Sequence, residues 1–130
     1  MIVKTKSGEI EGIKEDLYYS FKGIPYAESP IGKNRWLAPK PVKPWSDIKS
    51  CKEFGSICPQ NELVYEQEAT SDYETGSNQN EDCLSLNIWT SDLNSKKPVL
   101  VWIHGGAYFL GSGADCLSDS EDICREGKYV

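Results

Sequence analysis

Hydrophobic residues in this chain come in short runs separated by turn-forming or charged positions. Ile2 and Val3, residues 10–13 and residues 17–21, broken by Ser7–Gly8 and by Glu15–Asp16, predict short strands of a small antiparallel meander. From 23 to 45 the pattern changes. Pro25, Pro30, Pro39, Pro41 and Pro44 remove backbone donors and fix φ too often for regular structure, so this part is expected to be an extended wrap. Its Ile24, Tyr26, Trp36, Leu37 and Trp45 are expected to pin it to a sheet. The 24 residues between Cys58 and Cys83 are acidic and polar with few apolar anchors, which predicts a surface loop. Residues 84–90 alternate as a strand does, Leu86 and Ile88 on one face, Asn87 and Trp89 on the other. A polar turn, DLNSKKP, then leads into residues 99–103, VLVWI, which are unbroken apolar. Such a run suits a strand covered on both faces, in the middle of an α/β sheet. In the last stretch Ile123 and Tyr129 are poor cover for a helix, and residues 128–130 read as the start of another strand.

The apolar run stops at His104, the only histidine, followed by Gly105, Gly106 and Ala107. With so little side-chain bulk the backbone can turn sharply and bring its N–H groups close to a bound anion. Donors fixed around a developing oxyanion lower an acyl-transfer barrier by roughly 3 to 4 kcal/mol each, and an HGG loop after a central strand is one way α/β-hydrolases supply them. On these residues alone a tight strand-to-helix connection without chemistry is about as good a reading. A dinucleotide loop fits less well, because Gly111 and Gly113 are followed by Ala114, Asp115 and Cys116 without a third glycine. No lysine followed by Ser or Thr closes the run as a phosphate loop requires.

The chain has the size of one domain, 130 residues, but 38% hydrophobic residues make a thin core. Its net charge of −6 disfavours nucleic acid or an anionic membrane as partner. The charge is also segregated: residues 1–53 carry ten Lys or Arg against seven Asp or Glu, whereas the remainder carries four against thirteen. The apolar runs are too short to span a bilayer and the N-terminus lacks the core of a secretory signal, which predicts a cytoplasmic rather than a secreted product. Cys51, Cys58, Cys83, Cys116 and Cys124 form no C-x-x-C pair, and with a single histidine no metal site is expected.

Five stretches, taken in order, are FKGIPYAESPIG (21–32), NRWLAPKPVKPW (34–45), CPQ (58–60), EDCLSLNIWT (81–90) and PVLVWIHGGAYFLGSG (98–113). In sequence and spacing they resemble the N-terminal part of the type-B carboxylesterases, in particular the bacterial p-nitrobenzyl-esterase-like branch. The resemblance covers the whole chain. It implies an α/β fold: the N-terminal, β-rich part of an α/β-hydrolase with the first strands of its central sheet, residues 1–130 being one partial domain truncated before the nucleophile elbow. It also implies that Arg35 and Glu81 pair as a structural staple and that the cysteines matching Cys58 and Cys83 are joined in secreted relatives. That closure would add roughly 3 kcal/mol, although in a reducing compartment the two more often remain thiols. The choline-binding tryptophan of the cholinesterases has no counterpart among residues 59–82, whose aromatics are Tyr65 and Tyr73.

The family chemistry needs a serine at a G-x-S-x-G elbow, a histidine base and an acidic partner. No G-x-S-x-G is present, since Leu110 stands two residues before Ser112. No triad member is therefore assigned. The resemblance carries over Gly106 and Ala107 as the two oxyanion-hole amides, with His104 and Gly105 shaping the loop. It implies a parent serine esterase acting on small-molecule carboxylic esters, without metal or cofactor, and an isolated chain that is inactive. The competing readings are a non-catalytic, esterase-like interaction module or inactive remnant, and a free-standing β-rich binding domain.

Overall fold

The computed structural model describes residues 1–61, 78–114, 123–124 and 127–130. Among the described residues six strands are formed: β1 (Ile2–Lys4), β2 (Glu9–Glu11), β3 (Ile13–Lys14), β4 (Tyr19–Pro25), β5 (Lys49–Ser50) and β6 (Ser85–Thr90). They make two three-stranded sheets. One has the order β1-β2-β5 with β5 parallel to β2, and the other is β3-β4-β6, antiparallel throughout.

The strand expected over 10–13 breaks at Gly12. A Cβ there would fall on the Ser20 carbonyl oxygen and within 2.5 Å of the Phe21 ring, so the two sheets close on each other where there is no side chain. Gly12 donates its N–H to the Met1 carbonyl at 2.8 Å, and the Met1 amino group donates back at 3.0 Å. The expected meander is thereby divided between two sheets.

β4 is the hub and runs further than residues 17–21. It pairs with β6 from Tyr19↔Thr90 to Pro25↔Ser85, with a register shift between Phe21 and Ile24. At this bulge two N–H groups leave the ladder. Lys22 donates to the Cys51 carbonyl at 2.8 Å, and Gly23 to the Asn87 side-chain oxygen at 2.9 Å. Packing uses both faces of β6. Ile88 lies against the cluster of Ile10, Phe21 and Cys51, while Trp89 is buried with Tyr18 and Cys124 beside Phe54. Leu86, two residues before Ile88 on the same strand, is exposed.

Between residues 26 and 45 the chain is extended, interrupted by a 3-10 turn at Gly32–Asn34 and an Ala27↔Pro41 bridge. Trp45 does pin it down: its backbone N–H reaches the Ser7 carbonyl at 2.8 Å and its indole N–H the Glu9 carbonyl at 2.9 Å. Ile24 joins the same core. Trp36, at 96% exposed, does not, and Tyr26 and Leu37 are also exposed.

The largest departure concerns residues 99–103. They form no assigned strand, and Val101 and Ile103 are 74% and 84% exposed. Among the described residues regular pairing is confined to one rung, in which Val130 donates to the Pro98 carbonyl at 3.0 Å and accepts from the Leu100 N–H at 2.8 Å. That is the bond pattern of parallel strands centred on Val99 and Val130. A strand buried on both faces needs a neighbour on each edge and cover on each face. Among the described residues this ribbon has one neighbour, at one end.

Candidate functional site

At the end of the ribbon the backbone turns back within a few residues. Gly106 has φ +116°, and Ala107 and Tyr108 follow at +52° and +69°. Two successive residues with positive φ are the signature of a type I′ turn, which favours Gly or Asn. Here they are alanine and tyrosine, each at a cost of roughly 1–2 kcal/mol. The turn is closed by the Gly106 carbonyl, which accepts from the N–H groups of both Phe109 and Leu110 at 3.1 Å. A Cβ on Gly106 would fall on the Leu110 carbonyl oxygen, so only glycine fits. Among the described residues, the N–H groups of Gly106 and Ala107 donate to no acceptor. Strained backbone beside unengaged donors is an arrangement found at ligand-binding turns.

His104 lies in the same turn. Its Nδ1 is 2.7 Å from the Gly105 carbonyl oxygen, and since a carbonyl only accepts, Nδ1 carries the proton when this bond forms. The return limb approaches the outgoing one at Gly111, whose φ is +90°. A Cβ on Gly111 would come within 2.8 Å of the Gly105 oxygen and 3.0 Å of His104 Nδ1.

Two amide side chains outside the loop grip this limb. Gln60 Oε1 accepts the Gly111 N–H at 2.8 Å, and its Nε2 donates to the Gly111 carbonyl at 3.2 Å. The Gln60 backbone N–H donates to Gln79 Oε1 at 2.9 Å, and Ile57 pairs with Gln79 in a parallel bridge. Asn87, on β6, accepts the Gly23 N–H through Oδ1 and donates from Nδ2 to the Gly113 carbonyl at 3.0 Å. Both residues stand in the CPQ and EDCLSLNIWT stretches, but no spacing rule reveals that their side chains reach a backbone some 25 to 50 positions away. An uncharged amide in each motif, able to donate and accept at once, is the only sequence-level signal.

The other candidate residues lie apart from the loop. Arg35 and Glu81 meet, with Nη2 2.6 Å and Nε 3.2 Å from the same Glu81 oxygen, so the fork closes on one oxygen rather than two. Both side chains are about half exposed. Cys58 and Cys83 are free thiols that face each other. Burial and then the neighbouring Cys58 push the Cys83 thiol up to about 11. Cys51 and Cys124 are buried thiols, raised by the same loss of solvent. Cys116, Tyr65 and Tyr73 lie outside the described residues. Among the described residues no group of three His, Cys, Asp or Glu is placed to hold a metal.

Two small sheets, a strained glycine turn after an apolar ribbon and a parallel rung at the ribbon's start place the chain with the opening portion of an α/β-hydrolase. Residues 1–130 match the carboxylesterase family over their whole length, and the chain belongs to that family. It is 40% identical over 131 residues to the para-nitrobenzyl esterase of Bacillus subtilis (strain 168), covering 99% of this chain and 26% of that protein. The phenmedipham hydrolase of Pseudarthrobacter oxydans is 37% identical, with 99% of this chain and 26% of the relative covered. A solved PNB esterase structure superposes with a TM-score of 0.88 at 37% identity, over 98% of this chain and 26% of the other. The chain thus spans about a quarter of the length of the relatives it matches.

Proposed function

We propose that this chain forms the first part of a carboxylic-ester hydrolase that works through an acyl-serine intermediate, and that its own contribution is the oxyanion loop. The observation that carries the reading is the closed turn at 106–110, in which the Gly106 and Ala107 amides stay unengaged among the described residues. When a serine adds to an ester carbonyl, the carbonyl oxygen gains negative charge. Two N–H groups in a turn already closed by the two hydrogen bonds to the Gly106 carbonyl can receive it without reorganising. His104, with Nδ1 turned to the Gly105 carbonyl, braces the turn and is not the general base. The serine, the base and its acidic partner would come from the part of the protein that corresponds to the uncovered three-quarters of the relatives. The same part would supply the missing cover for residues 99–103. Because the named relatives are a para-nitrobenzyl esterase and a phenmedipham hydrolase, small carboxylic esters are the substrate class.

The test is a chimera in which residues 1–130 replace the matching quarter of the Bacillus subtilis para-nitrobenzyl esterase. It should hydrolyse p-nitrophenyl acetate and take one equivalent of a fluorophosphonate. The isolated chain should do neither. A folded chimera without activity, or stoichiometric labelling of the isolated chain, would overturn the reading.

A further inference from the structure

The amides of Gly106 and Ala107 belong to a loop with no core of its own: Tyr108 and Phe109 point to solvent, and the ribbon that leads into it is exposed. Something else must fix where the loop lies. The contacts that do so form a short chain. Gln60 holds Gly111 by both its N–H and its carbonyl. Gly111 lies against Gly105 and His104 with no room for a side chain. Gly105 precedes the turn whose Gly106 and Ala107 amides meet no acceptor among the described residues. On the other side, Asn87 fastens Gly113 to β6 and, through Gly23, to the bulge of β4.

We infer that Gln60 and Asn87 are positioning residues for the oxyanion loop, setting the direction of the Gly106 and Ala107 N–H groups by holding Gly111 and Gly113; this rests on the function proposed above. The side-chain orientations are determined by their partners. Gly111 N–H needs an oxygen and Gly111 C=O an N–H, which Gln60 satisfies in one flip state; Asn87 is fixed in the same way between Gly23 and Gly113. A two-point grip on one residue, taking the peptide units on both sides of its Cα, resists rotation as well as translation, which a single bond does not. The anchors themselves are held: the Gln60 backbone by Gln79, and Asn87 by the β4–β6 ladder. Gln60 Nε2 also lies 3.1 Å from the Cys58 carbonyl, tying the grip to the segment that carries that thiol.

Two variants of the chimera separate positioning from support. Gln60→Ala removes both bonds to Gly111. Asn87→Asp keeps the acceptor for Gly23 but turns the Gly113 contact into oxygen against oxygen. In each, kcat on p-nitrophenyl acetate is expected to fall by about tenfold or more with KM within about twofold, and affinity for a trifluoromethyl ketone to fall in parallel, because both depend on the oxyanion donors. The melting temperature of Asn87→Asp should stay close to that of the parent, since its bond into β4 survives. Folded variants with unchanged kcat and ketone affinity would overturn the inference. If Gln60→Ala does not fold, Asn87→Asp decides alone. An unsubstituted chimera that folds but does not turn over defeats the proposed function and this inference with it; an active one with indifferent variants defeats this inference only.

Discussion

Gly105 and Gly106 are adjacent and look interchangeable in the sequence, yet the structure separates them sharply. A Cβ on Gly105 meets no heavy atom within 4 Å, whereas one on Gly106 falls on the Leu110 carbonyl oxygen and lies 2.5 Å from its carbon. Those are backbone atoms of the same turn, so no rotamer change relieves the overlap. Gly106→Ala must open the turn, giving up the Leu110 bond to the Gly106 carbonyl, about 1 kcal/mol, and it strains a φ of +116° by roughly 1–3 kcal/mol. A total of about 2–4 kcal/mol depletes the aligned loop by roughly 30- to 1000-fold, at about 1.4 kcal/mol per factor of ten. The assay is kcat on p-nitrophenyl acetate in the chimera, with active sites counted by fluorophosphonate, and Gly105→Ala run alongside. Gly106→Ala should lose about 30-fold or more, Gly105→Ala less than about threefold. Equal losses in the two, or a fully active Gly106→Ala, would refute the argument.

Other outcomes follow from the same structure. Glu81→Gln should lower the yield of folded chimera before it lowers turnover per folded molecule, since the pair with Arg35 joins the proline-rich wrap to the start of β6 and touches no loop residue; normal yield with a large loss of turnover would contradict this. At pH 8 a thiol raised to about 11 should react with iodoacetamide roughly tenfold more slowly than an ordinary cysteine, after allowing for the stronger nucleophilicity of its rarer thiolate; mass spectrometry of Cys83 checks it, and an ordinary rate would count against its burial. Glu11 is held below its ordinary 4.5 by the hydrogen bond from Lys52. A depressed carboxylate contributes stability above its unfolded pKa and loses it as the pH falls through the folded value. The stability difference between the parent chimera and Lys52→Met should therefore shrink from pH 7 to about pH 3, and a urea-midpoint difference that stayed constant would reject the linkage.

Much of the candidate site is legible in the residues themselves. The turn at HGGA and the meeting of Arg35 with Glu81 depend on local chemistry or on ordered motifs, which survive translation into one dimension. The fold is less legible where a position answers to two neighbours. Residues 10–13 read as one strand, but Gly12 divides them because the Ser20 carbonyl and the Phe21 ring occupy the space of a side chain. Trp36 and Leu37 carry apolar surface that reads as an anchor, and the described residues leave them exposed. Residues 99–103 show the same limit: apolarity states what a strand requires, not whether its neighbours are at hand. Gln60 and Asn87 escape notice for the opposite reason, since polar residues in a motif reveal nothing of the distant peptide they reach.

The rung between Pro98, Leu100 and Val130 sets a length requirement on everything between. Two segments that run side by side in the same direction can be joined only by a connection that returns to the starting end before the rung can close. Slack in that journey is inexpensive, because closure entropy grows only logarithmically with added residues. Deficit is another matter: a tether cut shorter than the span would drag Val130 off Val99 and pull on the very glycines at the turning point. Insertions after Ala114 should therefore be absorbed, while deletions there would be transmitted as tension to the mouth of the loop.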